Sequence, residues 1–308
     1  IPEVGDNLCI CMHRASGHLD TFINLKKDML KELLDEADRN HACAFDQPRY
    51  LSWFSGRRLT GSDSRAQAQI KLAYQPLFSI IVPLYKTPLN FFRDMADSVI
   101  AQTYSNWELI LVNSTPDYEG LSDLVSEYVT ADSRIKVTNL EGNLGITENT
   151  NVGIKMAKGD FLCFFDHDDV LEPNILFEYA CALNQNAEIN LLYCDEDKLL
   201  PDGSLAHPTF KPDFSLDMAR DNNYICHLLT VKRACLDRID PSSSELDGAQ
   251  DHAMVLKIAE LGGTIHHVPK ILYHWRISEN STAGNSDSKP YATLAGIKAV
   301  QEHLDRCG

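Results

Sequence analysis

The chain has 308 residues, 44% of them hydrophobic and 23% charged, an ordinary globular composition. Its 44 acidic against 28 basic residues give a net charge of −16, and no basic stripe offers a face for duplex nucleic acid. No apolar run reaches the roughly 18–20 residues that span a bilayer, and no signal peptide is visible.

The length suits one large α/β domain with extras, or two smaller domains. The chain begins at Ile1 and not Met, as expected for a piece of a longer protein, so both absences speak only for this piece. Nine cysteines, odd in number and scattered, do not make a disulfide framework and point to a reducing compartment. Cys9, Cys11 and His13 form a C-x-C-x-H cluster without the second ligand pair of a zinc knuckle.

Leu19, Phe22, Ile23, Leu30, Leu33, Leu34 and Ala37 recur at helical spacing and predict an amphipathic helix over about 19–38. A polar connector with Gly56, Gly61 and Ser62-Asp63-Ser64 follows, so residues 1–75 read as an N-terminal helical extension and linker. From Phe78 the pattern becomes regular. Strands are predicted at 79–82, 107–112, 134–138 and 161–165, with helices near 90–102, 119–130 and 146–157 between them. Such alternation means βαβ units and a parallel sheet with helices on both faces. Past a strand at 190–194 the rhythm breaks into loops with short strands over 198–225. A strand at 226–231, a helix at 250–261, strands at 264–268 and 271–275, and a last helix at 291–305 complete the chain.

Asp166-His167-Asp168-Asp169 is the most informative stretch. It follows the apolar strand and precedes a helix, so three carboxylates gather past the C-terminal end of a strand, where open α/β sheets bind ligands. Packed carboxylates repel unless a cation neutralises them, and hard oxygen ligands suit Mg²⁺ or Mn²⁺. A solvated acidic turn capping the next helix is the plain alternative. Other motifs are weaker alone. Val82-Pro83-Leu84-Tyr85 ends the first strand, with an aromatic that can cover a flat ring. Asn143-Leu144-Gly145 precedes a helix, whose N-terminus favours an anion. Asp195-Glu196-Asp197 ends a strand, Asp251 stands at a helix start, and His274-Trp275-Arg276 follows an apolar strand.

In this order and spacing, V-P-x-Y, N-x-G, Gly159-Asp160 with a strand and D-x-D-D, D-E-D, Gln250-Asp251 and Tyr273-His274-Trp275-Arg276 resemble the family-2 inverting glycosyltransferases of the GT-A fold. The resemblance covers about 78–305. Cys194–Lys198, Phe210-Lys211-Pro212-Asp213, Gly248–Asp251 and Ser281-Thr282-Ala283 resemble the branch that makes bacterial surface polysaccharides.

The resemblance implies a Rossmann-like, mostly parallel sheet flanked by helices. Residues 76–308 would be the GT-A domain, with 76–170 the nucleotide-binding half and 171–308 the acceptor-binding half. Asp166 and Asp168 would hold Mn²⁺ or Mg²⁺ and the sugar nucleotide, with His167 a spacer and His274 the third metal ligand. Asp169 would face the donor sugar, Pro83 and Tyr85 the nucleoside, and Asp251 would be the general base. Lys211 and Arg276 would approach the diphosphate, and Asp195 and Glu196 the sugar or acceptor. Asn113 stands where the family carries an Asp that accepts from the base N3–H. An amide oxygen accepts that bond without its charge-assisted strength. A UDP- or dTDP-sugar donor is therefore expected, with a glycan or lipid-linked acceptor. The expected location is the cytoplasm, with peripheral association at the inner face of the plasma membrane and further domains in a longer chain. Two other readings compete. A nucleotidyltransferase wants a glycine-rich basic loop after the first strand, which Val82–Lys86 lacks. A non-catalytic binding domain would have lost its base or a ligand.

Overall fold

Near-continuous apolar runs such as Phe78–Leu84 and Trp107–Asn113 are buried on both faces, which is what a sheet covered by helices on both sides requires. A computed structural model describes residues 7–13, 19–26, 46–118, 120–278 and 290–307. The chain divides into two compact units, Ile1–Ser52 and Trp53–Gly308.

In the first unit, β1 (Asn7–His13) pairs antiparallel with β2 (Leu19–Lys26). The helix expected over 19–38 is therefore corrected at its start: residues 19–26 are a strand, and 27–38 lie outside the described residues. Leu19, Thr21, Ile23 and Leu25 also alternate with polar Asp20, Asn24 and Lys26, and only Phe22 breaks the pattern. That period of two, with a β-forming partner at 7–13, prevails over the helical reading. The Cys9, Cys11, His13 cluster falls on β1, and its side chains lie outside the described set. α1 (Gln47–Ser55) carries the chain across the boundary.

The second unit starts with α2 (Gly61–Gln67), opened by a capping box between Thr60 and Asp63. Four parallel strands follow: β3 (Phe78–Leu84), β4 (Trp107–Asn113), β5 (Ile135–Asn139) and β6 (Phe161–Phe164). They alternate with α3 (Leu89–Ile100), α4 (Leu121–Ala131) and α5 (Ile146–Met156). Their spatial order is β5-β4-β3-β6. The chain thus moves outward from β3 and then returns to its other side. That reversal opens a crevice at the C-terminal ends of β3 and β6, the place where such sheets bind ligands.

Alternation along β3 serves two cores. Phe78, Ile80 and Val82 pack with Phe92, Met95 and Leu124 from α3 and α4. Ile81 faces the other way with Ile110, Val112 and Leu162, under α5. Gly153 is where α5 touches the sheet; a Cβ there would lie 2.4 Å from Ile81 Cγ2 and 3.3 Å from Val112 Cγ2. Gly153→Ala must push the helix outward and should destabilise by about 1–3 kcal/mol. Gly142→Ala, with nothing within 4 Å, is the control. Urea unfolding of both variants checks the difference.

The second half adds β7 (Val170–Leu171), α6 (Ile175–Gln185), β8 (Ile189–Leu199), β9 (Leu205–Thr209), α7 (Leu216–Asp221), β10 (Leu229–Lys232) and α8 (Arg233–Leu236). α9 (Gln250–Glu260), β11 (Thr264–Arg276) and α10 (Pro290–Cys307) end it. β10 lies antiparallel between β6 and β8, and β8 pairs parallel with β11. The two short strands expected at 264–268 and 271–275 are one strand whose register shifts between Val268 and Ile271. Pro269, which has no N–H to give the ladder, sits at that shift. No helix among the described residues is long and apolar enough to cross a membrane.

Candidate active site

The acidic turn lies at the C-terminal end of β6, in the crevice made by the strand-order reversal. Asp169 is fully buried, and its carboxyl accepts from the Arg276 backbone N–H at 2.7 Å and from the Tyr273 hydroxyl. Burial pushes the Asp169 carboxyl well above its ordinary range, and neighbouring Asp168 and Asp166 push it further. Burial likewise raises Asp168, with Asp166 adding to it. Charge repulsion of this kind is what a bound cation relieves.

Across the crevice, the segment between α7 and β10 carries Cys226 and His227. His227 Nε2 lies 3.7 Å from Asp166 Oδ2. Its ring stacks on Tyr273 at 4.9 Å and meets Trp275 edge-on at 5.3 Å. Ligand atoms of Asp166, Asp169 and His227 all lie within 4.8 Å of one another. In the same turn His167 Nδ1 is buried without a hydrogen-bond partner among the described residues. Two carboxylates, an imidazole and strained carboxyl protonation suit a divalent cation. The nitrogen favours Mn²⁺, since Mg²⁺ takes oxygen ligands.

A cavity of about 70 Å³ adjoins this group. Pro83, Asp166, His227, Gln250 and Asp251 line it, with Cys226, whose thiol burial raises to about 12. Asp251 stands in the first turn of α9, where the helix dipole favours a carboxylate, and its Oδ2 accepts from Asn223 Nδ2 at 2.9 Å. The structure therefore brings Pro83, Asp166 and Asp251 to one cavity. Tyr85 lies at the rim of the β3 end, largely exposed.

Several expected roles need correction. His274 cannot serve as the third metal ligand in this arrangement: its Nδ1 is 2.5 Å from Asp197 and its Nε2 2.9 Å from Glu172. The cause is strand alternation. Tyr273 and Trp275 face His227, so His274 between them points to the opposite side. Arg276 is not open to a diphosphate, because its guanidinium donates to Asp94 at 2.8 Å and to the Asp168 carbonyl, and lies over Phe91 at 4.4 Å. It ties the acidic turn to α3. Lys211 is buried and spent as well, donating to Glu196 at 2.9 Å and to the carbonyls of Ile225 and His227. Asp195 faces away from Glu196, toward His267 at 2.8 Å. Asn113 is fully buried: its Oδ1 accepts from the Thr115 N–H, and its amide donates to Asn139 and Ser122, so it meets no base in this conformation. The anion expected at the start of α5 is the protein's own: Asp247 accepts from the Thr147 N–H at 3.2 Å.

Residues 79–194 match the family model described as Glycosyl transferase family 2. These residues belong to glycosyltransferase family 2. One relative is the O-antigen biosynthesis protein RfbC of Myxococcus xanthus, 33% identical over 84% of this chain and 20% of that protein. The chain spans only 20% to 26% of the first curated relatives it matches. Residues 1–349 of S. aureus TarS, solved with UDP-GlcNAc, are 20%-range relatives in sequence: 19% identical, with a TM-score of 0.57 over 74% of this chain and 72% of that one. The mannosyltransferase PcManGT of Pyrobaculum calidifontis, solved with GDP-Man and Mn²⁺, is 13% identical, with a TM-score of 0.51 over 79% and 80%. Both show that this chain has the GT-A fold.

His227, Cys226 and Asn223 were missed by sequence reasoning. They stand in an irregular segment, Asn222–Leu228; the strand expected over 226–231 begins only at Leu229, so a strand reading misplaces Cys226 and His227. Lys211 fixes that segment in space. Burial alone would raise the Glu196 carboxyl, yet Lys211, His227 and Lys198 together hold it below its ordinary value, as a carboxylate paired with buried Lys211.

Proposed function

We propose that this glycosyltransferase moves a sugar, with inversion, from a nucleoside-diphosphate sugar to a hydroxyl of a glycan or lipid-linked acceptor in bacterial surface-polysaccharide synthesis. One observation carries the reading: Asp166 and His227, which cluster with the buried Asp169, line the cavity that Asp251 also lines. The known ligands of TarS and PcManGT, UDP-GlcNAc and GDP-Man, support a nucleotide-sugar donor. A UDP- or dTDP-hexose or deoxyhexose is the proposed donor, and the cytoplasmic face of the plasma membrane the proposed place.

Asp166 and Asp169 would hold Mn²⁺ or Mg²⁺ with His227, and Asp168 would support them from the same turn. When bound, the ion supplies Lewis-acid stabilisation of the charge on the departing diphosphate. Pro83 and Tyr85 border the nucleoside side of the crevice. Asp251 takes the proton of the acceptor hydroxyl while that oxygen attacks the anomeric carbon from the face opposite the diphosphate. Single displacement then needs no enzyme nucleophile, and the raised Cys226 thiol remains protonated and inert.

A thermal-shift screen with UDP-, dTDP- and GDP-sugars tests the donor, since a ligand of the native state raises Tm. We expect a shift with Mn²⁺ that chelator abolishes and added Mn²⁺ restores. Asp166→Asn should weaken donor binding by at least tenfold while leaving the apo protein folded. Metal-independent binding of every donor would remove the cation from the mechanism. No binding or turnover of any nucleotide sugar would favour a non-catalytic domain.

A further inference from the structure

A second cavity, about 490 Å³, lies on the other side of β8 from the catalytic crevice. Adjacent strand residues face opposite ways, so Glu196 points toward Lys211 and His227 while Asp195 lines this cavity. Its volume falls in the range of small-ligand sites, about 300–1,000 Å³. None of the transfer chemistry uses it.

Two aromatic rings make an open corner there. Trp53 and Phe210 meet at 5.6 Å and 89°, and both rings are exposed. Perpendicular exposed rings offer two walls to the C–H faces of a saturated ring, an exposed apolar surface that a ligand would relieve. Most charges of the cavity are held within the protein: Asp63 accepts from the Thr60 N–H and hydroxyl, and Asp195 lies 2.8 Å from His267. Arg58 pairs in two places with Glu172, at 3.2 and 2.5 Å, and Lys270 with Glu178 at 2.6 Å. Arg57 is different. Its guanidinium lies 4.2 Å from the centre of the Trp53 ring and donates once, to the Trp53 carbonyl. Among the described residues it has no carboxylate partner, although it carries five N–H donors. Stacking on the indole holds the fork in place, and a planar carboxylate matches it.

We propose that this cavity is a second, non-catalytic glycan subsite for a hexuronate, with the sugar ring in the Trp53–Phe210 corner and its carboxylate on Arg57. A bare anion would use Arg57 and leave the aromatic corner wet. A neutral sugar would use the corner and leave the cation unmatched. The choice of a saccharide rests on the transferase reading, which makes glycans the molecules at hand. An acidic glycan held here stays near the transfer centre, and tethering of this kind raises its effective concentration.

The test uses the full chain with sodium glucuronate and an unsulfated chondroitin tetrasaccharide as probes, and glucose, maltotetraose, acetate and inorganic phosphate as controls. Tryptophan fluorescence reports on Trp53 and the half-buried Trp275, Trp107 being buried, and loss of the change in Phe210→Ala assigns it to the Trp53–Phe210 corner. Calorimetry gives the affinity. We expect saturable binding of both uronate probes, weakened about tenfold or more in Arg57→Gln, as for a lost bond to a charged group, and similarly in Phe210→Ala. Both positions are exposed, so these variants fold, and both keep donor turnover. No saturable uronate binding overturns the proposal. So does equal binding of acetate or phosphate, equal binding of glucose, or unchanged affinity in the two variants. Uronate binding without any nucleotide-sugar turnover would keep the subsite and sink the transferase reading, and the reverse result would separate them the other way.

Discussion

Asp251→Asn is expected to keep nucleotide-sugar and Mn²⁺ binding within about twofold while transfer falls by about 10²–10⁴, the usual worth of general-base help. The carboxylate sits in the first turn of α9 and in the cavity that Asp166 and His227 share. It donates nothing, and among the described residues its side-chain partner is Asn223 at 2.9 Å. An amide of the same shape can keep an oxygen toward Asn223, so the fold is retained, but it cannot take a proton from an acceptor hydroxyl. Titration of donor with Mn²⁺ and a transfer assay on the same preparation separate the two effects. If donor binding disappears together with transfer, Asp251 belongs to the donor site and the base is another group. If transfer survives at the wild-type rate, the acceptor is deprotonated without it.

How much of this was legible before the structure depends on periodicity. The β3–β6 half could be read because its strands are unbroken apolar runs between amphipathic helices, and the carboxylates of Asp166–Asp169 mark a strand end by themselves. Asp251 was legible for the same reason, as an acidic residue at a helix start. Residues 19–26 were misread because a sequence can satisfy the helical period and the strand period at once, and the pairing partner at 7–13 settles the matter only in three dimensions. That His227 and not His274 lies beside Asp166 has a different cause. A histidine in Tyr273-His274-Trp275-Arg276 is conspicuous, but the face it occupies is set by the parity of β11. The flanking rings of Tyr273 and Trp275 receive His227 instead. His227 reaches them from an irregular segment pinned by the buried Lys211 ammonium, and such long-range pinning leaves no local pattern.

His274→Gln is expected to lower stability by about 3–5 kcal/mol, because it removes the cation held between two buried carboxylates. For a unit of this size that is a fall in Tm on the order of 10 °C. Asp197 and Glu172 hold opposite nitrogens of the ring, Arg58 bridges Glu172 from outside, and Phe54 closes the cage edge-on at 6.0 Å. Burial opposes a charge on His274, yet the two carboxylates raise it to about 9 from an ordinary 6.5. The folded state therefore binds a proton that the unfolded state has lost between these values. Its contribution is fully present below about 6.5 and disappears as pH rises through about 9, some 3 kcal/mol in all at the usual cost per pKa unit. Urea unfolding of the wild-type protein at pH 6.5, 8 and 9.5 should show this decline, and His274→Gln should lack it. Mn²⁺ affinity, measured in the cold where the variant stays folded, should change by less than about threefold, since the stability loss acts on folding and not on the ion site. Equal pH slopes in both proteins would remove the imidazolium from the stability argument. A large loss of Mn²⁺ affinity in a folded variant would instead return His274 to the metal site.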